Sequence, residues 1–238
     1  MRRLAGAHEL LDGDLNDARA LAGNLRDLRR LNRFFGGVTL SRHAVDAVIR
    51  DAHLPADAPI SLLDVGTGAG DIPNELTRDS RRRGRTMRVM GIDSRAEVLA
   101  LASSGDDPGP ASSLTLRVAD ARTLPFDDGS FDIAHASLLM HHLEPAEAAT
   151  VIREMARVAR LGIVVNDLAR GRFRWLGAWL LLHLITRNRF TRHDGPLSVR
   201  RAYSMPEARQ MLIGAGLRIV HEETAVMGHR WAIAAVRP

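Results

Sequence analysis

Three glycines at alternate positions, Gly66, Gly68 and Gly70, mark the segment of the sequence best suited to bind a ligand. They follow an apolar run, Ile60 to Val65, that predicts a strand, and they precede a helical pattern that begins at Asp71. Glycine reaches backbone conformations that other residues avoid and lets a ligand approach the main chain. A glycine turn at the carboxyl end of a strand therefore predicts a site for a nucleotide-like ligand.

Carboxylates at the next two predicted strand ends narrow the choice of ligand. Asp93 ends the second predicted strand, where a carboxylate can accept hydrogen bonds from both hydroxyls of a ribose. Asp120, followed by Ala121, ends the third, where the edge of an adenine would lie. Glycines and carboxylates on three successive strand ends fit an adenosine group laid across the sheet.

The charge at the glycine turn distinguishes between adenosine cofactors. The dinucleotide fingerprint needs glycine at position 71, which is Asp71 here, and a carboxylate at a helix start repels a pyrophosphate. No Gly-Lys-Ser/Thr follows, so phosphate-loop ATP binding is disfavoured. S-adenosylmethionine (SAM) carries no phosphate and has a sulfonium and an ammonium group. Asp64 and Asp71 therefore favour SAM.

Strands that alternate with helices from Ile60 onwards must position these residues. Further strands are predicted at Met87 to Ile92, Leu114 to Val118, Phe131 to Ala136, Leu161 to Asn166, Leu217 to His221 and Trp231 to Val236. Further helices are predicted at Asp71 to Arg82, Glu97 to Ala102, Pro145 to Ala159 and Met205 to Ala215. The fold class is therefore α/β, with a doubly wound, mostly parallel, Rossmann-like sheet of seven strands that ends in an antiparallel hairpin.

The residues before this alternation predict a helical N-terminal cap, residues 1–57. Apolar spacing predicts helices at Asp14 to Phe35 and at Ser41 to Ala52, with Ser41 as the N-cap of the second. These helices are expected to close over the ligand site of the core, residues 58–238. An insert at about 170–203 interrupts the core on its substrate side.

Five segments that occur in order resemble the motifs of the class I SAM-dependent methyltransferases, of the methyltransferase type 11 kind. They are Leu62 to Gly70, Gly91 to Asp93, Ala119 to Phe126, Gly129 to Ala134 and Ser137 to Leu143. The resemblance implies that the glycines pass under the methionine part of SAM, that Asp64 orients this loop, and that Ser137 lies near the sulfonium. Ser137 is equally suited to be a helix N-cap. The implied cofactor contacts are Asp64, Gly66, Thr67, Gly68, Gly70, Asp71, Asp93, Ser94, Asp120, Ala121 and Ser137.

Candidate catalytic residues are three histidines. His141 and His142 lie just beyond the fourth predicted strand, and a histidine can accept the proton of a phenol near neutral pH. His193 lies in a predicted polar loop, Thr191 to Pro196, that is expected to act as a lid. The alternatives are packing at a helix start for the first two and an ordinary turn for His193 beside Asp194.

The insert supplies the candidate substrate residues, which are Trp175, Trp179, Arg200 and Tyr203. Its apolar stretch, Trp175 to Ile185, is too short to cross a membrane. Three interpretations stay open for this stretch: the lining of a hydrophobic substrate pocket, contact with a membrane surface, and a core helix.

These observations predict a SAM-dependent methyltransferase that forms S-adenosylhomocysteine and acts on a small, apolar phenolic, polyketide or quinone-like substrate of secondary metabolism. O-methylation is favoured over C-methylation. The alternatives are methylation of protein or nucleic acid and a non-catalytic or NAD-type nucleotide-binding protein. The motif of nucleic-acid amino-methyltransferases, Asn/Asp-Pro-Pro-aromatic, does not follow the fourth strand, and the chain has no cysteine for covalent cytosine methylation.

Composition supports a small-molecule enzyme rather than a nucleic-acid binder. The net charge is +5, but the arginines that supply all the positive side chains are scattered among Asp and Glu. No metal is expected, because His and carboxylate residues do not cluster at ligand spacing. The N-terminus does not resemble a signal peptide, so a cytoplasmic monomer or homodimer without a transmembrane segment is predicted, with peripheral membrane contact left open.

Overall fold

A computed structural model describes residues 1–15, 17–103 and 114–238 as a sheet covered by helices on both faces. The helices are α1 (Ala18–Phe34), α2 (Gly37–Asp51), α3 (Asp71–Arg82), α4 (Ala96–Ser103), α5 (Pro145–Val158), α6 (Arg172–Ile185), α7 (Arg189–Arg201) and α8 (Met205–Gly214). The strands are β1 (Ile60–Val65), β2 (Met87–Asp93), β3 (Leu114–Val118), β4 (Phe131–Ser137), β5 (Ala159–Leu168), β6 (Arg218–Thr224) and β7 (Arg230–Val236).

The sheet has the predicted doubly wound topology. Its strand order is β3-β2-β1-β4-β5-β7-β6. The strands from β3 to β5 pair in parallel, and β7 pairs antiparallel with both β5 and β6. The predicted seven-stranded sheet and its terminal antiparallel hairpin are confirmed. Because β1, β2 and β3 are neighbours, their carboxyl ends lie along one edge, as the glycine and carboxylate pattern requires.

The two N-terminal helices differ in their packing. Helix α2 buries one face against β5 and β7, where Ala44 and Val48 join the same apolar cluster as Val164 and Ala234. Helix α1 contributes Leu21 and other residues to a smaller cluster beside the carboxyl edge of the sheet. Helix α2 is thus packed as tightly on the sheet as the core helices are, and the division at residue 57 stays a prediction.

The predicted N-cap of the second helix is wrong. Gly36 adopts a left-handed conformation (φ 81°) and serves as the N-cap, so α2 begins at Gly37 and Ser41 lies inside the helix. The Ser41 hydroxyl is fully buried and lies 2.8 Å from the His135 Nε2. Only Phe35 and Gly36 separate the two helices, so the second helix begins earlier than its apolar pattern indicates.

The insert is a pair of helices, so the predicted polar loop at Thr191 to Pro196 is wrong. The Asn188 side chain accepts hydrogen bonds from the Phe190 and Thr191 amides and starts α7, which runs through Pro196. Proline inside a helix costs one backbone hydrogen bond, and buried contacts with the rest of the chain override this cost here. Only one side of α6 packs on the protein, chiefly through the buried Leu182.

Candidate cofactor and active site

A cavity of about 530 Å³ opens at the carboxyl ends of β1, β2 and β4, within the range of roughly 300–1,000 Å³ that is typical of small-molecule sites. The predicted cofactor residues all line it, with the exception of Gly70. The lining members are Asp64, Gly66, Thr67, Gly68, Asp71, Asp93, Ser94, Asp120, Ala121 and Ser137. The structure brings these side chains together, and their contacts with a ligand stay predictions.

The glycine turn has the backbone that its sequence predicts. Gly66, Gly68 and Gly70 all have positive φ angles, of 71°, 54° and 68°. A Cβ on Gly66 would lie 3.1 Å from a methyl carbon of Leu139, whereas a Cβ on Gly68 would meet nothing within 4 Å. Gly68 is therefore the point at which the main chain is open to a ligand. Gly70 is outside the cavity, where a Cβ would approach Leu114 to 2.9 Å, and it turns the chain into α3.

Asp93 is held by two backbone amides. Its Oδ2 accepts from the Gly68 N–H at 3.1 Å, and its Oδ1 accepts from the Arg95 N–H at 3.0 Å. Burial raises the pKa of Asp93, although these two amides oppose the shift. Each carboxylate oxygen can accept a second hydrogen bond, so Asp93 suits the two hydroxyls of a ribose.

Asp64 and Asp71, which precede and follow the glycine turn, make its surroundings acidic. The buried Asp64 Oδ1 lies 2.5 Å from the His135 Nδ1, and the Asp71 Oδ2 accepts from the Asn32 side-chain amide at 2.9 Å. Burial raises the pKa of Asp71, and the charge of Asp64 adds to this effect. A cationic ligand would relieve the cost of these buried carboxylates, whereas a pyrophosphate would increase it.

Asp120 differs from the other strand-end carboxylates because it forms an exposed ion pair with Arg122. Its Oδ2 lies 2.8 Å from an Arg122 guanidinium nitrogen, and Arg122 also contacts Glu147 at 3.1 Å. The hydrogen bonds from Arg122 lower the pKa of Asp120. This ion pair borders the region where the adenine was predicted to lie.

Ser137 takes part in a buried polar network rather than capping a helix. Its hydroxyl accepts from the Arg230 guanidinium at 2.7 Å, and the other nitrogens of Arg230 donate to Asn32 and Asn166 at 2.7 and 2.6 Å. Burial lowers the pKa of Arg230 to about 10. The following residue, Leu138, has a φ angle of 55°, a strained conformation for leucine that places the turn after β4 against the cavity.

His142 is the predicted catalytic residue that lines the cavity. Its Nδ1 lies 2.9 Å from the Asp12 Oδ1, and its Nε2 lies 3.7 Å from the Glu9 Oε2. Burial lowers the pKa of His142, but the hydrogen bond to Asp12 and the charges of Glu9 and Asp12 outweigh this effect and raise it overall. An Nδ1–H donated to Asp12 would leave Nε2 as the proton acceptor of the neutral ring.

His141 is buried beneath His142 and does not line the cavity. Its backbone N–H donates to the Asp167 Oδ2 at 3.0 Å, and its Nδ1 lies 2.6 Å from the Asp167 Oδ1. Burial alone would raise the pKa of Asp167, but His141 lowers it. The centroids of the two imidazole rings lie 4.3 Å apart, so the His141 ring packs against the His142 ring and helps to hold it in position.

Glu9, His141 and His142 form the one group, among the described residues, whose ligand atoms lie close enough to hold a metal ion, within 4.8 Å of one another. The sequence did not predict this grouping because Glu9 is distant along the chain. An Arg201 guanidinium nitrogen lies 3.5 Å from the Glu9 Oε1 and 2.9 Å from the Asp12 Oδ2. Arg201 thus already supplies, beside these carboxylates, the positive charge that a metal would bring.

The remaining predicted residues lie outside the cavity. His193 is exposed and bonded to Asp194 at 2.7 Å. Tyr203 is buried, donates its hydroxyl to the Leu143 carbonyl at 2.8 Å, and has its pKa raised to about 12 by burial. The other three are Trp175, Trp179 and Arg200, of which Trp179 and Arg200 are exposed.

Part of the cavity wall is built by the N-terminal part of the chain. Leu11, Leu25 and Leu28 line the cavity together with Asp12, which contacts His142. The apolar periodicity of α1 predicts that one face of this helix is buried, but not that the face covers a cavity. Nothing in the sequence near Glu9 or Asp12 marks them as partners of His142.

Comparison with known proteins agrees with this geometry. A family model described as a methyltransferase domain matches residues 62–162. The chain is similar to a ubiquinone/menaquinone biosynthesis C-methyltransferase of Geobacter sp., with 32% identity over 42% of this chain and 41% of the relative. The chain therefore spans less than half the length of this curated relative.

Solved structures extend the likeness over nearly the whole chain. A SAM-dependent methyltransferase of Aquifex aeolicus has a TM-score of 0.62 and 17% identity, covering 91% of this chain and 98% of its own. A magnesium protoporphyrin IX methyltransferase of Synechocystis has a TM-score of 0.60 and 17% identity, covering 95% and 90%. At this identity the likeness shows the fold. The matched model shows that residues 62–162 form a methyltransferase domain, and the solved structures show that the chain has the fold of SAM-dependent methyltransferases.

Proposed function

We propose that this protein transfers the methyl group of SAM to an acidic hydroxyl of a small, apolar acceptor and releases S-adenosylhomocysteine. The observation that carries the proposal is the position of His142. Its imidazole, bonded to Asp12, lines the same cavity as the open backbone of Gly68 and the carboxylate of Asp93.

The charges and the open backbone of the cofactor half of the cavity support SAM as the ligand. Gly68 leaves its backbone open, Asp93 offers free lone pairs for a ribose, and Asp64 and Asp71 offer negative charge for an ammonium or sulfonium. When bound, SAM supplies a methyl carbon that is already activated for in-line displacement. The protein's main task is then to align the acceptor and exclude water.

The acceptor half of the cavity fits an apolar molecule with one ionisable group. Leu11, Leu25 and Leu28 form an apolar wall, and His142 with Asp12 is a polar point in it. In the proposed step, the hydroxyl proton moves to the His142 Nε2 while the oxygen attacks the methyl carbon. The carbon–sulfur bond breaks, and its electron pair stays on sulfur. A phenol, a polyketide enol or a quinol would satisfy this chemistry.

C-methylation is the second candidate. A deprotonated phenol or quinol is also nucleophilic at ring carbon, and the similar Geobacter protein is named as a C-methyltransferase of quinone biosynthesis. The same proton acceptor would serve both reactions, so the position of the methyl group in the product distinguishes them.

Thermal unfolding with SAM, S-adenosylhomocysteine, NADH and ATP in parallel is the first test. A ligand at a hundred times its dissociation constant stabilises the fold by about 2.7 kcal/mol, so SAM and its product should raise Tm. An acceptor screen with labelled SAM, beginning with apolar phenols and quinols, then tests the reaction. Stabilisation by NADH alone, or methyl transfer only to protein or nucleic acid, would refute the proposal.

A further inference from the structure

Helix α6 presents a continuous row of large apolar side chains to solvent. Phe173 is 91% exposed and Leu184 is 85% exposed, and Leu176 and Leu180 are also exposed. These four residues follow the spacing i, i+3, i+7 and i+11, which places them on one face of the helix. Most exposed apolar residues in a folded protein are scattered, so an aligned row indicates a surface that meets an apolar environment.

The segment that contains α6 carries positive charge at both of its ends and no negative charge. Between Asp167 and Asp194 the sequence has no acidic residue. It has six arginines in this interval, Arg170, Arg172, Arg174, Arg187, Arg189 and Arg192. Arg172, Arg174, Arg187 and Arg189 are exposed and flank the apolar row at its two ends. The combination of an apolar stripe and flanking arginines is complementary to an anionic, apolar partner.

A second apolar element lies beside the start of α6. The turn between β6 and β7 exposes Val226 completely and Met227 to 69%. A Cβ on Gly228, the next residue, would lie 3.1 Å from an Arg174 guanidinium nitrogen, so this turn is adjacent to α6. We define the α6 surface as the apolar row of α6, its flanking arginines and this turn.

We propose that the α6 surface docks the protein onto a bilayer that contains anionic lipids. The leucines and Phe173 would enter the acyl boundary, and the arginines would contact lipid phosphates. Helix α6 has 14 residues, about 21 Å at 1.5 Å per residue, so it would lie in the plane of the interface. Among the described residues, no helix is long and apolar enough to cross a membrane.

The charge of the surface favours a bilayer over a second copy of this chain. Two copies facing each other through α6 would bring their arginines together without any acidic residue of the segment to pair with them. A flat lipid interface, in contrast, offers negative charge along its whole plane. The apolar row of α6 also lies on the outer face of an exposed helix, whereas docking sites for peptide helices are grooves.

Helix α6 is one helix away from the wall of the cavity. It packs on α7 so closely that a side chain on Gly195 would collide with Leu182. Asp194 of α7 accepts hydrogen bonds from the Leu10 and Leu11 amides at 2.8 and 3.1 Å, and Leu11 lines the cavity. Docking would thus hold the acceptor side of the protein near the membrane. The inference stands independently of the methyl-transfer chemistry.

Vesicle co-sedimentation of the full chain tests the proposal. Vesicles of phosphatidylcholine alone are compared with vesicles of phosphatidylcholine and phosphatidylglycerol in equal parts, each at low and high salt. The variants are Leu180→Asp with Leu184→Asp, and Arg172→Gln with Arg187→Gln. Ile213→Asp is the matched control, because Ile213 is an exposed apolar residue of α8 outside the α6 surface. Unfolding temperatures establish that each variant folds.

Binding to the anionic vesicles that weakens with salt is the expected result. The aspartate pair should weaken it by about tenfold or more, and the glutamine pair by roughly fivefold for each arginine, with Ile213→Asp unchanged. Absence of binding by the folded wild-type protein would overturn the proposal. So would sedimentation-velocity evidence of a dimer that Leu184→Asp dissociates, without any vesicle binding, since the face would then join two copies. Failure of methyl transfer would leave these readouts unaffected.

Discussion

Replacement of Asp93 by asparagine should weaken SAM binding while it preserves or increases the stability of the ligand-free protein. The carboxylate accepts two backbone amides and has room for two more hydrogen bonds from a ribose. A hydrogen bond to a charged group is worth about 1.5–3 kcal/mol. The single oxygen of the substituted amide can restore at most one of these bonds, so Kd should rise by about tenfold or more if one is lost and by about a hundredfold or more if both are lost.

The stability of the same variant should change in the opposite direction. Burial raises the pKa of Asp93 above its value in the unfolded chain, so folding favours the protonated acid. The stability that this group contributes is present below the unfolded pKa and is lost as pH rises through the folded pKa. At neutral pH the ionised wild-type residue therefore costs free energy that the neutral amide avoids. The difference in Tm between variant and wild type should shrink as the solution is acidified.

Calorimetric titration with SAM and thermal unfolding across pH measure the two effects separately. Asp128→Asn is the matched control, because Asp128 is a highly exposed carboxylate at the opposite end of the sheet from the cavity. If Asp93→Asn bound SAM with unchanged affinity, the ribose assignment would be refuted. If the variant lost stability at neutral pH while binding stayed weak, a collapsed glycine loop would explain the result instead.

Three further predictions concern single side chains. His142→Ala should lower kcat by about 10²- to 10⁴-fold with SAM affinity unchanged. Wild-type activity should rise as pH rises through the raised pKa of His142, because the base must be neutral to accept a proton. A flat pH–rate profile would exclude His142 as the proton acceptor. Gly66→Ala should destabilise the fold by about 1–2 kcal/mol in urea unfolding, since it combines a positive φ angle with the Leu139 contact, and wild-type stability would contradict this strain. Tyr203→Phe should cost about 0.5–1.5 kcal/mol for the lost hydrogen bond to Leu143 and leave KM for the acceptor unchanged; a raised KM would restore Tyr203 as a substrate residue.

The sequence could predict that the glycine turn and the strand-end carboxylates lie together, because this part of the cavity is built from adjacent segments. Strand β1, the glycine turn and the start of α3 are continuous in the chain. Their structure can therefore be predicted from the local sequence pattern, without knowledge of contacts between distant residues. Asp93 and Asp120 could be added because parallel strands place their carboxyl ends along one edge. The bounds of β1, α3 and β3 are those predicted, since each is a strongly periodic segment between clear breaks.

The His142 side of the cavity could not be predicted because its residues come from distant parts of the chain. Its polar centre joins Glu9 and Asp12 to His142, which is distant from them in the sequence. The segment Thr191 to Pro196 was predicted to be a loop but is helical, because Asn188 caps α7 and the rest of the chain buries it. The apolar stretch of α6 was compatible with a buried helix, a pocket lining or a membrane-contacting surface, and periodicity alone cannot distinguish these interpretations. Trp175 and Trp179 were predicted to contact the substrate because they are large and apolar. The packing of α6 on α7 leaves both side chains outside the cavity.

Arg201 joins the separate segments of the chain that form the His142 side of the cavity. Its guanidinium donates to the Asp12 carboxylate at 2.9 Å and to the His142 carbonyl at 2.8 Å, so one buried side chain of α7 fixes both the N-terminal segment and the turn after β4. None of its hydrogen bonds reaches the glycine turn. Changes in α7 or in residues 9–12 should therefore alter the His142 side of the cavity while the backbone of the glycine turn stays in place, because adjacent strands hold that backbone and these side chains do not contact it.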